Sequence, residues 1–200
     1  GNFTVNSGPA LIRFVGAKNC TIENCTFRNL GDYAIEINGG SEDITIAHSC
    51  FYDMASGAIK ADSRSEDQSF LPVEKMTRGI SVTDNEIHHG GRVFFGSPAF
   101  VSNLIQSLRF EHNHISHFYY NGIACGFPSR SLGCFDNLIC NNLIHDIGKG
   151  WLSDMGGIYV KGLQPGMVIR GNVVYNIDAA CYGGNAIYLD DYAEHMVVEN

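Results

Sequence analysis

Acidic and aromatic side chains gather in two short segments near the end of the chain. Asp154 lies five residues before Tyr159, and Asp190 follows Tyr188 after one intervening residue. Two carboxyl groups held close together can act as general acid and as nucleophile or base in the cleavage of a glycosidic bond. We therefore predict Asp154 and Asp190 as a catalytic pair, provided that the fold brings the two segments together.

Side chains suited to holding a sugar surround this pair. A tyrosine ring can cover the apolar face of a pyranose, and charged groups can hydrogen-bond its hydroxyls. The predicted substrate-binding residues are Tyr159, Lys161, Tyr188 and Asp191. An alternative remains open, because stacked Tyr–Tyr and Lys–Asp pairs also stabilise a sheet, by about 0.2–1 kcal/mol each.

The elements that must position these residues belong to a repeat. A short run of alternating apolar residues is followed by a polar residue, usually Asn, and by a second apolar residue two positions later. The polar position is held in turn by Cys25, Ser49, Asn85, Asn113, Asn142, Asn172 and Asn200, at spacings of 24, 36, 28, 29, 30 and 28 residues. Between these copies, a second phrase places an apolar residue after a small one, at Ile35, Ile59, Phe100, Ile123, Ile158 and Ile187.

Short strands that recur every 20–30 residues or so, joined by Gly- and Asn-rich corners, predict an all-β parallel β-helix. Stacked coils bury a continuous apolar column, and Asn at a corner tolerates a left-handed backbone and can hydrogen-bond the same amide one coil away. We predict about six to seven coils in a single β-helix over residues 1–200, with an insertion loop at about residues 62–77. A leucine-rich repeat is excluded because its Leu-x-x-Leu-x-Leu pattern is missing, and a β-sandwich would not keep this phase.

Alternation along the strands predicts which side chains point outward. It places Tyr159 and Tyr188 on neighbouring coils, with Lys161 and Asp190 beside them. Asp154 precedes Ile158 by four residues and Asp190 follows Ile187 by three, which on a straight strand would separate the two acids by about 20 Å. We therefore expect the corner at Gly156–Gly157 to fold Asp154 back over this face.

Composition limits the partners of the chain. The net charge is −8, and no cluster of Lys and Arg is present, so neither nucleic acid nor an anionic membrane is an expected partner. Hydrophobic residues make up 44% of the chain, enough to predict an ordered fold, yet no apolar run reaches the roughly 20 residues of a membrane span. The sequence starts at Gly1 and ends within a strand pattern, so we expect further coils beyond both ends.

Cysteine and histidine patterns predict no metal site and no cofactor. The seven cysteines include no Cys-x-x-Cys pair, so they are interpreted as small buried apolar residues rather than zinc ligands. His112 and His114 share a strand segment, and His48 occupies the same repeat position as His112. We therefore expect these histidines to be exposed residues at the corners of the coils rather than ligands of a metal ion.

The segment from His117 to Asp191 resembles bacterial right-handed parallel β-helix proteins that act on carbohydrates. Its pattern is similar to that of β-helix glycoside hydrolases, a group that includes α-L-fucosidases and xylanases. The matching phrases are Phe118–Ile123, Asn142–Gly148, Leu152–Tyr159, Gln164–Gly166, Arg170–Asn172, Tyr182–Gly184 and Ile187–Asp191. The resemblance implies a right-handed helix, a catalytic pair of acids carried over onto Asp154 and Asp190, and a secreted or periplasmic location.

The leading hypothesis is a glycoside hydrolase, or a fragment of one, that acts on a plant or microbial poly- or oligosaccharide. Two alternatives stay open: a polysaccharide lyase with Lys161 as base, and a non-catalytic carbohydrate-binding or surface β-helix protein.

Overall fold

Short alternating runs form the strands, because every second side chain enters a shared interior. The computed structural model describes residues 8–64, 69–126 and 133–200. In chain order, its strands are β1 (Ile12–Val15), β2 (Lys18–Glu23), β3 (Thr26–Leu30), β4 (Ile35–Asn38), β5 (Glu42–Ala47), β6 (Cys50–Met54), β7 (Ile59–Asp62), β8 (Arg78–Thr83), β9 (Glu86–His88), β10 (Phe100–Asn103), β11 (Arg109–Glu111), β12 (His114–Phe118), β13 (Ile123–Cys125), β14 (Leu138–Cys140), β15 (Leu143–Ile147), β16 (Gly156–Val160), β17 (Leu163–Arg170), β18 (Val173–Ile177), β19 (Asn185–Leu189) and β20 (Glu194–Glu199).

The strands form three parallel sheets, and each turn of the chain adds one strand to each sheet. Sheet A has the order β1-β4-β7-β10-β13-β16-β19, sheet B has the order β2-β5-β8-β11-β14-β17-β20, and sheet C has the order β3-β6-β9-β12-β15-β18. Within the described ranges, six coils are therefore complete, and β19 and β20 belong to a seventh. This architecture confirms the predicted all-β parallel β-helix and its number of coils.

A column of large apolar side chains runs through the interior beneath sheet A. Paired positions connect Ile12, Ile35, Ile59, Phe100, Ile123, Ile158 and Ile187 from one coil to the next. The side chains from Ile35 to Ile158 in this column are fully buried, and each such burial is worth about 1.5–3 kcal/mol. The column predicted from the second phrase is confirmed, including the position of Phe100.

Asparagine at a corner was predicted both to adopt a left-handed backbone and to hydrogen-bond the next coil, and in the structure two adjacent residues share these roles. The left-handed position is taken by the residue before each ladder position, as at His112, where φ is 55°. The next residue, Asn113, is buried and joins the amide ladder through its side chain, which accepts a hydrogen bond from the backbone N–H of Asn85 at 3.0 Å. His48 and His112 do share a column, as predicted, but both are in this left-handed turn position rather than on a strand.

The loops differ in length from coil to coil. Between β7 and β8 the chain forms a short 3-10 helix at Val73–Lys75, within the expected insertion at 62–77, of which residues 65–68 lie outside the described ranges. Among the described residues, no helix is long and apolar enough to cross a membrane.

Candidate functional site

The two predicted tyrosines face each other at the β16–β19 end of sheet A. Tyr159 is paired in register with Tyr188, and their ring centroids lie 5.0 Å apart at an interplanar angle of 70°. This edge-to-face arrangement is favourable for aromatic rings. It fixes the ring of Tyr188, which is partly exposed, against the ring of Tyr159, which is 1% exposed.

Burial changes the roles that the sequence suggested for Tyr159 and Lys161. Both side chains point away from the interior column, but Tyr159 is 1% and Lys161 8% exposed. An outward direction in a strand therefore does not give an exposed surface here. Neither residue offers an open face on which a sugar ring could stack, and their part in substrate binding stays a prediction.

Instead, Tyr159 and Lys161 both lower the pKa of Asp190. The Tyr159 hydroxyl donates a short hydrogen bond to Oδ2 of Asp190. Burial pushes the pKa of Asp190 upward, but this hydrogen bond, together with the backbone N–H of Asp191 and the charge of Lys161, outweighs that effect. The pKa of Asp190 consequently lies below its ordinary value, and its carboxyl group is held in the ionised state.

The nearby aspartates in turn change the pKa values of Lys161 and Tyr159. Burial lowers the pKa of Lys161, although the carboxylates of Asp190, Asp191 and Asp154 oppose this shift. Burial and the hydrogen bond to Asp190 raise the pKa of Tyr159 far above its ordinary range. The phenol of Tyr159 therefore remains a proton-bearing donor at any physiological pH.

Asp154 reaches the same group of side chains from the preceding loop. Burial raises the pKa of Tyr188, and the charges of Asp190 and Asp154 raise it further, as does a hydrogen bond from the Tyr188 hydroxyl to the Asp154 carboxylate. The charge of Asp154 also raises the pKa of Tyr159. Asp154 and Asp190 thus both raise the pKa values of Tyr159 and Tyr188, whose rings are in contact.

The backbone at Asp154 differs from the expected corner. Gly156 and Gly157 belong to β16 instead of forming a turn, and the left-handed residue is Asp154 itself, with φ of 60°. Its backbone N–H donates to the carbonyl of Tyr182 at 2.9 Å, and its carbonyl accepts from the hydroxyl of Tyr120 at 2.9 Å. These two contacts, rather than the glycine pair, fix Asp154 beside the strand ends.

Two further tyrosines belong to this site and were not selected from the sequence. Tyr120 is buried, and burial, together with the charge of Asp154, raises its pKa to about 12. Tyr182 is 60% exposed and lies next to Gly183 in the loop that contacts Asp154. Both tyrosines stand in phrases that carry the family resemblance, which was the available signal.

We call Asp154, Tyr159, Lys161, Tyr188 and Asp190 the acid–tyrosine cluster.

The remaining predicted residue, Asp191, is exposed at the end of β19. Its backbone carbonyl accepts a hydrogen bond from the N–H of Gly162 at 2.8 Å, which ties the two neighbouring coils together. Its side chain faces solvent beside the cluster, and its role in substrate binding stays a prediction. A separate group with metal-ligand chemistry, Cys50, Glu86 and His88, lies on sheet C.

Comparisons with known proteins agree with this architecture. The family model described as "Right handed beta helix region" matches residues 2–200. A solved structure titled "Glycoside hydrolase" has a TM-score of 0.65 with this chain at 16% sequence identity. The matched region covers 94% of this chain but only 37% of the length of that solved chain.

At this identity the structural similarity concerns the fold. No curated protein matches the sequence significantly. The predicted handedness, which came from the resemblance, is confirmed by the family match. The chain belongs to the right-handed β-helix family.

Proposed function

We propose that this chain is a glycoside hydrolase, or part of one, that cleaves a plant or microbial polysaccharide at the acid–tyrosine cluster. One observation carries the proposal: Asp154 and Asp190 both raise the pKa values of Tyr159 and Tyr188. The rings of these two tyrosines are in contact across adjacent coils. Paired carboxyl groups at one site are the requirement of glycosidic cleavage.

The environment of Asp190 supports one of the two roles, and the other role is left for Asp154. The lowered pKa of Asp190 suits the group that must be ionised, either a nucleophile or the base that activates water. Asp154 then supplies the proton to the leaving-group oxygen. As the glycosidic bond breaks, positive charge develops on the sugar ring, and the ionised Asp190 stabilises it.

Exposure decides which residues meet the sugar. Tyr188 is partly exposed, whereas Tyr182 and Asp191 are exposed. Their aromatic rings and carboxylate provide the apolar surface and the hydrogen-bond acceptors that pyranose recognition needs. Tyr159 and Lys161, being buried, serve as positioning residues for Asp190.

The charge of the cluster favours a neutral glycan. The negative charges of Asp190, Asp191 and Asp154 all act on the ammonium group of Lys161, and the whole chain has a net charge of −8. A strongly acidic polysaccharide would be repelled by this arrangement. A role on plant or microbial polysaccharide also fits the proposed secreted or periplasmic location and bacterial origin.

The hydrolase proposal is tested with Asp154→Asn and Asp190→Asn. The wild-type protein is screened on neutral plant and microbial polysaccharides for the release of reducing ends. On the polymer that is cleaved, each variant should retain at most about one hundredth of the activity, while the circular dichroism spectrum stays unchanged. Glu74→Gln, a change of an exposed acid in the 3-10 helix, is the matched control and should keep full activity. Full activity in both aspartate variants would refute the assignment.

A polysaccharide lyase is the second candidate, and the lowered pKa of Lys161 is the observation that favours it. A buried lysine with a lowered pKa can abstract the proton next to the carboxylate of a uronate sugar. Such a reaction leaves an unsaturated uronate that absorbs ultraviolet light, whereas hydrolysis does not. Loss of this absorbance in Lys161→Met, with no effect of Asp154→Asn, would replace the hydrolase by the lyase. Binding of a glycan without any cleavage would support the non-catalytic alternative.

A further inference from the structure

A mixed group of metal-binding side chains lies on the outer face of sheet C, away from the acid–tyrosine cluster. One ligand atom each from Cys50, Glu86 and His88 can be chosen so that all three lie within 4.8 Å of one another. A thiol, a carboxylate and an imidazole are the donors that bind Zn²⁺ in proteins. Cys50 and His88 are half-buried, and Glu86 is exposed to solvent.

The sheet itself brings the three donors together. Cys50 on β6 is paired in register with Glu86 on β9, and Tyr52 is paired with His88. Glu86 and His88 are two residues apart, so they point to the same side of the strand. The intervening Ile87 is fully buried in the core, which fixes the strand and the spacing of its two outward side chains.

His88 is held in an orientation that suits a metal ligand. Its Nδ1 atom lies 2.7 Å from Nδ1 of His89, and the ring of Tyr52 stacks on it with centroids 5.4 Å apart at 5°. The opposite nitrogen, Nε2, faces Oε1 of Glu86 at 3.9 Å, too far for a hydrogen bond. At metal sites, a ligating histidine usually makes a hydrogen bond through one ring nitrogen and turns the other nitrogen toward the metal.

We propose that Cys50, Glu86 and His88 bind a divalent transition-metal ion of the zinc class across the second and third coils. A tetrahedral zinc ion with bonds of about 2.0–2.3 Å separates its ligand atoms by about 3.3–3.8 Å. The observed separations reach this range with side-chain movements below about one ångström. The ion replaces the thiol proton of Cys50, which passes to solvent, and three protein donors leave a fourth position for water.

The site ties two neighbouring coils together through side chains. Repeat coils of this kind depend mainly on contacts with their neighbours, so a metal bridge between β6 and β9 stabilises the interface between coils. An ion that binds only the folded protein raises stability with its concentration. The inference does not depend on Asp154 or Asp190, and its test is independent of enzyme activity.

The experiment is a titration of the chelator-treated protein with Co²⁺, which reports thiolate ligation by a sulfur-to-metal charge-transfer absorption. One equivalent of Co²⁺ should produce this band, and Zn²⁺ should bleach it and raise Tm. Cys50→Ser should remove the band, while His88→Asn and Glu86→Gln should each weaken binding about tenfold or more. Because Glu86 is exposed, the glutamine variant should fold even if the other two do not.

A matched control is available at Cys181, far along the chain from the proposed site. It is an exposed free thiol, so Cys181→Ser should keep the band and the affinity. The proposal is overturned if the wild-type protein gives no band with excess Co²⁺. It is equally overturned if Cys50→Ser retains the band, or if Glu86→Gln and His88→Asn both bind as tightly as the wild type.

Discussion

The Tyr159 hydroxyl donates a hydrogen bond to the Asp190 carboxylate across two adjacent coils. The tyrosine is buried and its pKa is raised far above the ordinary range, so it remains a donor throughout the useful pH range. Asp190 in turn has a lowered pKa. The bond therefore links a permanently protonated phenol to a carboxylate that stays ionised, and it makes the ionisation of Asp190 depend on its neighbour.

Tyr159→Phe should shift the pH dependence of the proposed hydrolysis. Without this hydrogen bond the pKa of Asp190 rises, so the acid limb of the kcat/KM profile should move to higher pH. Near neutral pH, kcat/KM should fall about tenfold because Asp190 also loses its positioning contact. The profile of Tyr119→Phe, which removes a phenol hydroxyl outside the cluster, should match the wild type. An unshifted acid limb in Tyr159→Phe would contradict the role of this bond.

The same contact has a consequence for acid stability. The folded-state pKa of Asp190 lies below the value of about 3.9 expected in an unfolded chain. The ionised carboxylate therefore stabilises the fold above that pH, and this contribution disappears as the pH falls through the lower folded-state pKa. Tyr159→Phe should narrow the difference between the folded-state and unfolded-state pKa values of Asp190. The variant should therefore unfold at a lower temperature than the wild type above about pH 5, and the gap in Tm should close as the pH falls below about 3.9.

Tyr188 should contribute separately to sugar binding and to the chemistry. Its ring is partly exposed, and its hydroxyl hydrogen-bonds Asp154. Tyr188→Phe keeps the ring, so KM should stay within about twofold while kcat falls because Asp154 loses a partner. Tyr188→Ala removes the ring as well, and KM should rise about two- to tenfold, as expected for the loss of an aromatic contact. Equal KM values for the two variants would argue against contact between this ring and the sugar.

Gly183 should be required for the placement of Asp154. Its φ of 84° is left-handed, and a Cβ atom there would lie 2.7 Å from the backbone nitrogen of Met155 and 3.1 Å from that of Asp154. Gly183→Ala should therefore lower the free energy of unfolding by about 1–3 kcal/mol and reduce the proposed hydrolysis at least tenfold. The control is Gly31→Ala, because a Cβ atom at Gly31 has nothing within 4 Å. Similar activity and stability in the two alanine variants would contradict this placement.

The repeat was predictable because its signal is periodic, whereas the site depends on covering loops and cross-strand neighbours. Every coil must bury the same apolar positions, so the sequence marks Ile35 and its equivalents coil after coil. Burial of Tyr159 was not predictable, because alternation gives only the direction of a side chain. The group of Cys50, Glu86 and His88 was missed for a related reason: its donors come from two strands, and a search for cysteine pairs along the chain does not detect register across a sheet.

The amide ladder gives a prediction that reports on one coil at a time. The Asn113 side chain accepts a hydrogen bond from the backbone N–H of Asn85 at 3.0 Å and donates one to the carbonyl of Val82 at 2.8 Å. Asn113→Ala leaves both buried groups without these partners, at a cost of about 1–3 kcal/mol for each group. Because coils interact mainly with their neighbours, the effect should be local.

Amide hydrogen exchange measures this effect directly. In Asn113→Ala, the N–H of Asn85 should exchange at least tenfold faster. The N–H of Asn142 bonds instead to Oδ1 of Asn172 at 3.0 Å and should stay protected, which makes it an internal control. Ser81→Ala, a change on the outward side of β8, should alter neither amide. Equal acceleration at Asn85 and Asn142 would mean that the ladder unfolds as a unit, and unchanged exchange at Asn85 would mean that its N–H does not depend on the Asn113 side chain.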